Sequence, residues 1–505
     1  MSKFKALVAL ALTAALLTGG VTASHAATKK VLTIGEIGDL VSFAASKAEA
    51  GNRVHFYQAP YDSLLAVTPD GTLKANLVTK WAYDASATKL TLTLRKGVKF
   101  TDGTSLDAAA VVKNLNAFQK GESPDASNLS AMTSAVAKGK TQVNITLKAA
   151  DPAFLNYLAR SAGFIESPKQ IGTAAEKATP VGSGPYVLNK AKTKSGSVYT
   201  FDKNKNYWNK SVQKFDTVVL KVISDQTAMV NALKSGQVDA ANLASNDVIS
   251  ELMASGLQFE TNTLDWVGLS LVDRTGKLGS PLDNVKVRQA INYAFDRKAL
   301  LKTIGSGYGS VVEQVFAPKS AGYDAKLNST YTYDVAKAKS LMAEAGYAKG
   351  FTMDMPSLTA FLGEAPYTLI SDQLAAIGIK VKYTEEPFST FFGNILAPKY
   401  PAYLMFLEQS PNDWQFIQFL VSRTAVWNPD KYGDATSDAL IAKIQVANDK
   451  SRPALLKQLN KYIVEQAWFV PFYVKQGTQA HSKSVKVKMQ AGNAIPYLLS
   501  YAPTK

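Results

Sequence analysis

Past residue 225 the chain alternates helical and strand periods, and few architectures accept that order. Residues 227–235 read as a helix, opened by Asp225 and stopped by Gly236. Residues 238–242 follow as a strand. Val287, Ala290, Ile291, Ala294 and Leu301 recur at helical spacing, which predicts one helix over 284–301. Asp334 caps a further helix that closes at Gly346, residues 367–376 make another, and 378–383 return as a strand. Ser451 and Pro453 open a late helix, and 469–474 form a buried strand interrupted by Pro471. Helices that alternate with strands have to cover a sheet, so the expected fold class is α/β.

The first third is richer in strands. Residues 31–35 read as the first. Leu90, Leu92 and Leu94 alternate with threonines, and Val143, Ile145 and Leu147 repeat the period of two. Between them Asp107 is placed to cap a helix that carries Val111, Leu115 and Phe118 on one side. Residues 119–140, rich in Ser, Ala, Gly and Lys, read as a mobile surface segment. No internal repeat or low-complexity linker separates independent domains.

The N-terminus reads as an export signal. Lys3 and Lys5 precede an apolar run from Ala6 to Leu17, and Ser24 and Ala26 supply the small residues that a signal peptidase reads. The run is too short for the ~20 residues that span a bilayer. Residues 1–26 are therefore expected to be cleaved and the protein released outside the membrane, in the periplasm where a second membrane exists. The chain has no cysteine, which removes disulfides, thiolate metal sites, cysteine nucleophiles and a cysteine-borne lipid anchor. There are three histidines, one of them His25 inside the signal, so a three-histidine metal centre is not expected. His55 reads as a surface or core histidine. The formal charge of +16 comes from scattered lysines rather than a basic run, so nucleic acid is not an expected partner.

No P-loop, HExxH or GxGxxG occurs, and Gly305-Ser-Gly-Tyr-Gly places glycine where a nucleophile elbow would place serine. Neither a cofactor nor a metal is expected, and nothing demands catalysis. A chain of this kind reads as an exported binding protein. A rival reading is an exported carbohydrate-active hydrolase with a carboxylate pair in a cleft. A second is an adhesion or chaperone module, which would show a large exposed apolar patch.

Seven segments carry a resemblance. Tyr61-Asp-Ser-Leu-Leu with Pro69-Asp-Gly-Thr-Leu opens the series, followed by Leu94-Arg-Lys-Gly-Val-Lys-Phe-Thr-Asp-Gly103 and Pro180-Val-Gly-Ser-Gly-Pro-Tyr186. Asn206-Tyr-Trp208, Leu233-Lys-Ser-Gly-Gln-Val-Asp239, Val287-Arg-Gln-Ala-Ile-Asn-Tyr-Ala-Phe-Asp-Arg297 and Ala338-Lys-Ser-Leu-Met-Ala-Glu-Ala-Gly-Tyr347 complete it. In this order they resemble the extracellular solute-binding proteins of the peptide, nickel and oligosaccharide uptake group (family 5), which serve ABC importers. The resemblance implies a three-domain, two-lobed periplasmic-binding-protein-like fold of the large peptide-binding class. Its first lobe would be discontinuous, made of 27–52, 176–262 and 471–505, with a second domain inserted at 53–175 and the second lobe at 263–470. It also implies that a monomer closes on a small-molecule solute or short peptide by hinge bending and presents it to an ABC permease.

Three departures stand out. Thr101 occupies a position where relatives usually carry histidine, and Leu106-Asp-Ala-Ala replaces Thr-Ala-Glu-Asp. The third bears on ligand. Peptide-binding relatives pair the peptide's ammonium with an aspartate of a Trp-x-x-Asp segment. Here the stretch is Leu407-Glu-Gln-Ser-Pro-Asn-Asp-Trp414, so Ser410 stands where that aspartate would be and Asp413 falls three residues late. A hydroxyl cannot balance a buried ammonium. A neutral or carbohydrate-like ligand is expected over a free-amine peptide, unless Glu408 or Asp413 takes the role. The expected ligand contacts are Phe43, Trp266, Ser410, Asp413, Trp414, Trp427 and Asn428. On the helix through Val287, Arg288 and Asp296 are expected to form a structural ion pair.

Overall fold

The computed structural model describes residues 29–504 apart from Gln409 and Pro411, so the expected signal segment lies outside the described residues. β1 (Val31–Glu36) is followed by an inserted unit of β2 (Val78–Tyr83), β3 (Lys89–Leu94), α1 (Ala108–Lys120), β4 (Met132–Lys138) and β5 (Gln142–Leu147). Then come β6 (Tyr186–Leu188), β7 (Val198–Lys203), β8 (Thr217–Val222), α2 (Gln226–Lys234), β9 (Ala240–Asn242) and the long β10 (Gln258–Leu271). The remainder holds α3 (Val285–Tyr293), α4 (Arg297–Ile304), β11 (Gly309–Val311), α5 (Val335–Glu344), β12 (Phe351–Ser357), α6 (Ala365–Ala375), β13 (Ile379–Glu385), β14 (Ala402–Glu408), α7 (Ala435–Val446), α8 (Arg452–Glu465) and β15 (Phe469–His481).

One nine-stranded sheet runs through both lobes in the order β6-β7-β8-β1-β9-β15-β10-β14, with β11 also paired to β15. β1 lies parallel to β8 and β9, whereas β10 and β15 are antiparallel. The first-lobe side buries Leu32, Ile34, Phe201, Val218 and Leu220 in one core. The second-lobe side buries Val267, Leu269, Ile291, Met353 and Ile370 in another. In the inserted unit β2-β3-β5-β4 form a separate sheet, and α1 packs on it through Val111, Leu115 and Phe118. Its core is continuous with that under Trp414, Leu459 and Trp468 of the second lobe.

Local chemistry set most of these boundaries. Asp107, Asp225 and Asp334 each accept a backbone N–H three residues on, so α1, α2 and α5 begin where a side-chain oxygen satisfies a free donor. Two expectations are corrected. The 119–140 segment is not a loop throughout, since Met132–Lys138 forms the strand β4 beside β5. A register shift between Met132 and Ser134 breaks the alternation there and hides the strand from a period-of-two reading.

The helix expected over 284–301 is two helices. Asp296 accepts the N–H groups of Lys298 and Ala299 and so starts α4 afresh. Arg288 therefore makes no pair with Asp296. It is 1% exposed and donates from Nη1 to the carbonyls of Leu282 and Asp283 and from Nε to Gln466.

β10 and β15 pair with each other along most of their length. Residues 258–263 pair with 476–481, and beyond a break 266–270 pair with 469–474. Between Thr263 and Trp266 the register shifts, so Leu264 and Asp265 stand opposite Lys475 alone, as in a β-bulge. A second irregularity lies at Gly268, opposite Pro471. A Cβ at Gly268 would sit 2.2 Å from the Val470 carbonyl oxygen, so only glycine fits that approach. Gly268→Ala is expected to destabilise the protein by about 1–3 kcal/mol, the usual cost of overpacking. Thermal unfolding checks this, and an unchanged Tm would refute it.

Candidate functional site

Three cavities surround the place where the inserted unit, the bulged strands and the second lobe meet. The largest of these three, about 650 Å³, lies between residues 127–131 and 148–151 of the inserted unit and the second-lobe stretch from Ser410 to Val426. Its size falls within the range of small-molecule sites. A second, about 490 Å³, is lined by Ile37 just beyond β1, by Asn52, Asp125 and Asn242, and by Asp265 and Lys475 at the bulge. A third, about 300 Å³, includes Arg160, Lys319, Lys488 and Gln490. Gly492 lines the second and third, while Asp125 lines the second and Ser127 the first. Beside the first cavity the inserted unit and the second lobe touch through Gln445 Nε2, which donates to the Ala150 carbonyl at 2.9 Å.

Of the expected contact residues, Ser410 and Trp414 are brought together on the largest cavity. Asn412 builds that wall. Its Oδ1 accepts the N–H groups of Trp414 and Gln415 and starts the short helix Asp413–Phe416. Ser410 Oγ donates to Gln415 Oε1 at 2.9 Å and accepts the Asn412 N–H at 3.2 Å. Asp413 turns into its own lobe, where Oδ2 accepts the Gly322 N–H at 3.0 Å. Burial pushes its carboxyl above the ordinary aspartate range.

The remaining four go elsewhere. Trp427 is half-buried against Phe392 and Phe419, and its neighbour Val426 lines the cavity. Asn428 is buried as the tie of a loop: Oδ1 accepts from Arg274 and Tyr432, and Nδ2 donates to the carbonyls of Val421, Ser422 and Tyr432. Trp266 is fully buried edge-on to Phe469, and Phe43 packs edge-on to Tyr199 and Phe201 in the first-lobe core. These rings are spent on packing, Trp266 from within β10 and Phe43 from the loop after β1.

The structure adds groups that the sequence reading did not single out. Asp151 borders the largest cavity and accepts the Ala153 N–H, and burial pushes its carboxyl up to about 6. Asp265 at the bulge is likewise raised by burial, with Lys475 pulling it partly back. Arg160 sits among apolar neighbours between Phe154 and Ile165, and an arginine inside such a run was the available signal. Its partners come from the far end of the chain. Among the described residues no group of three or more His, Asp or Glu is placed to hold a metal ion. No helix among them is long and apolar enough to cross a membrane.

Residues 72–428 match the family model for bacterial extracellular solute-binding proteins, family 5 (middle). The chain is 28% identical over 457 residues to the glutathione-binding protein GsiB of Salmonella paratyphi A, covering 84% of this chain and 85% of that one. Its fold is similar to that of the ABC transporter substrate-binding protein CtaP from Listeria monocytogenes, with a TM-score of 0.78 at 22% identity over 95% of this chain and 100% of that one. It is also similar to AgaA of A. tumefaciens R10, solved with agropinic acid. There the TM-score is 0.72 and the identity 25%, over 94% of this chain and 99% of the other.

Proposed function

The chain belongs to the bacterial extracellular solute-binding proteins, family 5, and on that premise we propose what kind of solute it carries. As a member it is the substrate-binding component of an ABC importer, works with an ABC permease and is not an enzyme. Nothing among these relatives supports the hydrolase reading. GsiB is named for glutathione and AgaA was solved with agropinic acid. Two different solutes on one scaffold leave the ligand to be read from this chain's own cavity.

The part of the solute that enters the largest cavity is uncharged and polar, as a sugar or an amide-linked group would be. One observation carries this. Ser410 presents a hydroxyl to the cavity, and Asp413 points its carboxyl at Gly322 instead. Asn128, Gln415, Gln418 and Gln445 supply amides around it, Tyr157, Trp414 and Phe419 supply flat apolar faces, and the two charged lining residues, Lys148 and Asp151, are of opposite sign. The protein is exported by its N-terminal signal, holds the solute between its lobes and closes by bending at the bulge around Asp265. A ligand shifts that equilibrium only by binding the closed form better than the open one.

Calorimetry against a pool of free-amine tri- to pentapeptides and a pool of oligosaccharides tests the assignment. Oligosaccharide or amine-blocked ligands should bind, and free amines should confer no advantage. Micromolar binding of free-amine peptides that disappears on N-acetylation would overturn it.

A pH dependence follows from Asp151. Burial disfavours the charged form and pushes its carboxyl up to about 6. An uncharged solute that covers the cavity deepens that burial and pushes the carboxyl higher still. Binding then takes up a proton, so affinity should rise severalfold as pH falls from 7 to 5. Asp151→Asn should bind equally at both values. Weaker binding in acid, or a pH dependence that survives Asp151→Asn, would contradict this.

A further inference from the structure

Lysines that lie far apart in the sequence meet at one end of the first-lobe sheet. β1 runs parallel to β8 and β9, while β7 is antiparallel to β8 and β15 to β9. The starts of β1, β8 and β9 therefore share an end with the finishes of β7 and β15. Lys29 and Lys30 enter β1 there, Lys205, Lys210 and Lys214 occupy the connection from β7 to β8, and Lys483 follows β15. Backbone bonds hold these segments side by side. The Asp216 N–H donates to the Lys30 carbonyl, the Lys203 N–H to the Asp216 carbonyl and the Ser482 N–H to the Asp239 carbonyl.

The carboxylates at this end are already engaged. Asp216 pairs with Lys203 at 3.4 Å, Asp239 with Lys29 at 2.7 Å and Glu251 with Lys234 at 2.8 Å. Asp202 accepts from the Asn189 amide and the Thr217 hydroxyl. Lys214 Nζ donates to the Ser211 carbonyl. Lys30, Lys205, Lys210, Lys214 and Lys483 are exposed, and among the described residues none of them makes an ion pair. Their charges add to a positive field over this end of the lobe. None of them lines the three cavities described above. The second cavity lies at the opposite end of the strands, beside Ile37 after β1 and Asn242 at the finish of β9. The six residues of β1 set the two ends about 20 Å apart.

We propose that this end of the first lobe docks on an anionic phospholipid bilayer. The permease that the protein works with sits in a bilayer, so such a surface is within reach. The lysines come from three distant segments and are spread across the end of a sheet on flexible stems. A planar field of phosphates matches that spread, and each lysine meets it as a separate point charge. Contact through exposed lysines is screened by salt and therefore reversible. Docked in this way, the protein keeps the second cavity on the side away from the membrane, towards arriving solute. The inference stands independently of the solute assigned above.

The test uses the full chain without solute, sedimented with vesicles of phosphatidylglycerol mixed with phosphatidylcholine and with vesicles of phosphatidylcholine alone. Saturable binding to the anionic vesicles is expected at low salt, falling steeply as salt rises, with none to the neutral ones. The quadruple variant Lys205→Gln, Lys210→Gln, Lys214→Gln, Lys483→Gln should weaken binding about a hundredfold at low salt. A control of equal net charge, Lys74→Gln, Lys80→Gln, Lys89→Gln, Lys138→Gln, removes four exposed lysines of the inserted unit and should bind almost as the unmodified chain does. All eight side chains are exposed, so both variants are expected to fold, and thermal unfolding checks that they do. Equal losses in the two variants would show that overall charge acts rather than this face, and would overturn the proposal. No binding to anionic vesicles at low salt would also overturn it and leave the face to an acidic protein.

Discussion

Ser410→Asp is expected to confer tight binding of free-amine peptides, by about thirtyfold or more over the unmodified chain. The substitution places a carboxylate on the cavity wall where a hydroxyl now sits, about 2–5 kcal/mol of charge pairing in a desolvated cleft. At ~1.4 kcal/mol per tenfold, the lower bound already gives that factor. N-acetylated peptides should show no gain, because the ammonium is gone. Calorimetry with a matched free and acetylated pair reads the difference directly. A gain shared by both peptides would mean that the new side chain acts by shape rather than charge. No gain for either would mean that the solute's amine end lies elsewhere.

The second large effect concerns stability. Arg288 is buried and donates to three backbone carbonyls, those of Leu282, Asp283 and Gln466. These lie at the start of α3 and at the end of α8, so one side chain satisfies acceptors from two distant segments. Arg288→Met fills similar space but leaves all three without that donor. Leaving the buried Leu282 acceptor unpaired costs about 1–3 kcal/mol, and the part-buried carbonyls of Asp283 and Gln466 cost less, so a loss of about 2–4 kcal/mol is expected in chemical denaturation. Arg288→Lys keeps a single donor group and should lose less. A near-neutral Arg288→Met would show that water replaces the guanidinium.

Legibility followed distance along the chain. The helix starts at Asp107, Asp225 and Asp334 were readable because cap and donor lie three residues apart. Ser410 and Trp414 were readable as neighbours on one wall for the same reason. The break at Asp296 was hidden because the apolar period runs on through it, while a local side-chain bond decides the matter. β4 was hidden by its bulge. Arg160 and Lys475 could not be placed, because nothing near residue 160 records that Gly492 will lie beside it, and nothing near residue 475 records that Asp265 will. Trp266 and Phe43 look like contact residues by type, and only their core neighbours reveal them as packing.

The pairing of β10 with β15 has a consequence for how the chain is made. Gln258 waits for His481 and Ser270 waits for Phe469, about two hundred residues later. At roughly 5–20 residues per second of synthesis, that interval lasts roughly 10–40 seconds. For all of it the apolar half of β10, from Trp266 to Leu271, has an open edge on the β15 side, the arrangement most prone to pairing with the wrong strand. The sheet cannot be completed until β15 has been made, close to the end of synthesis.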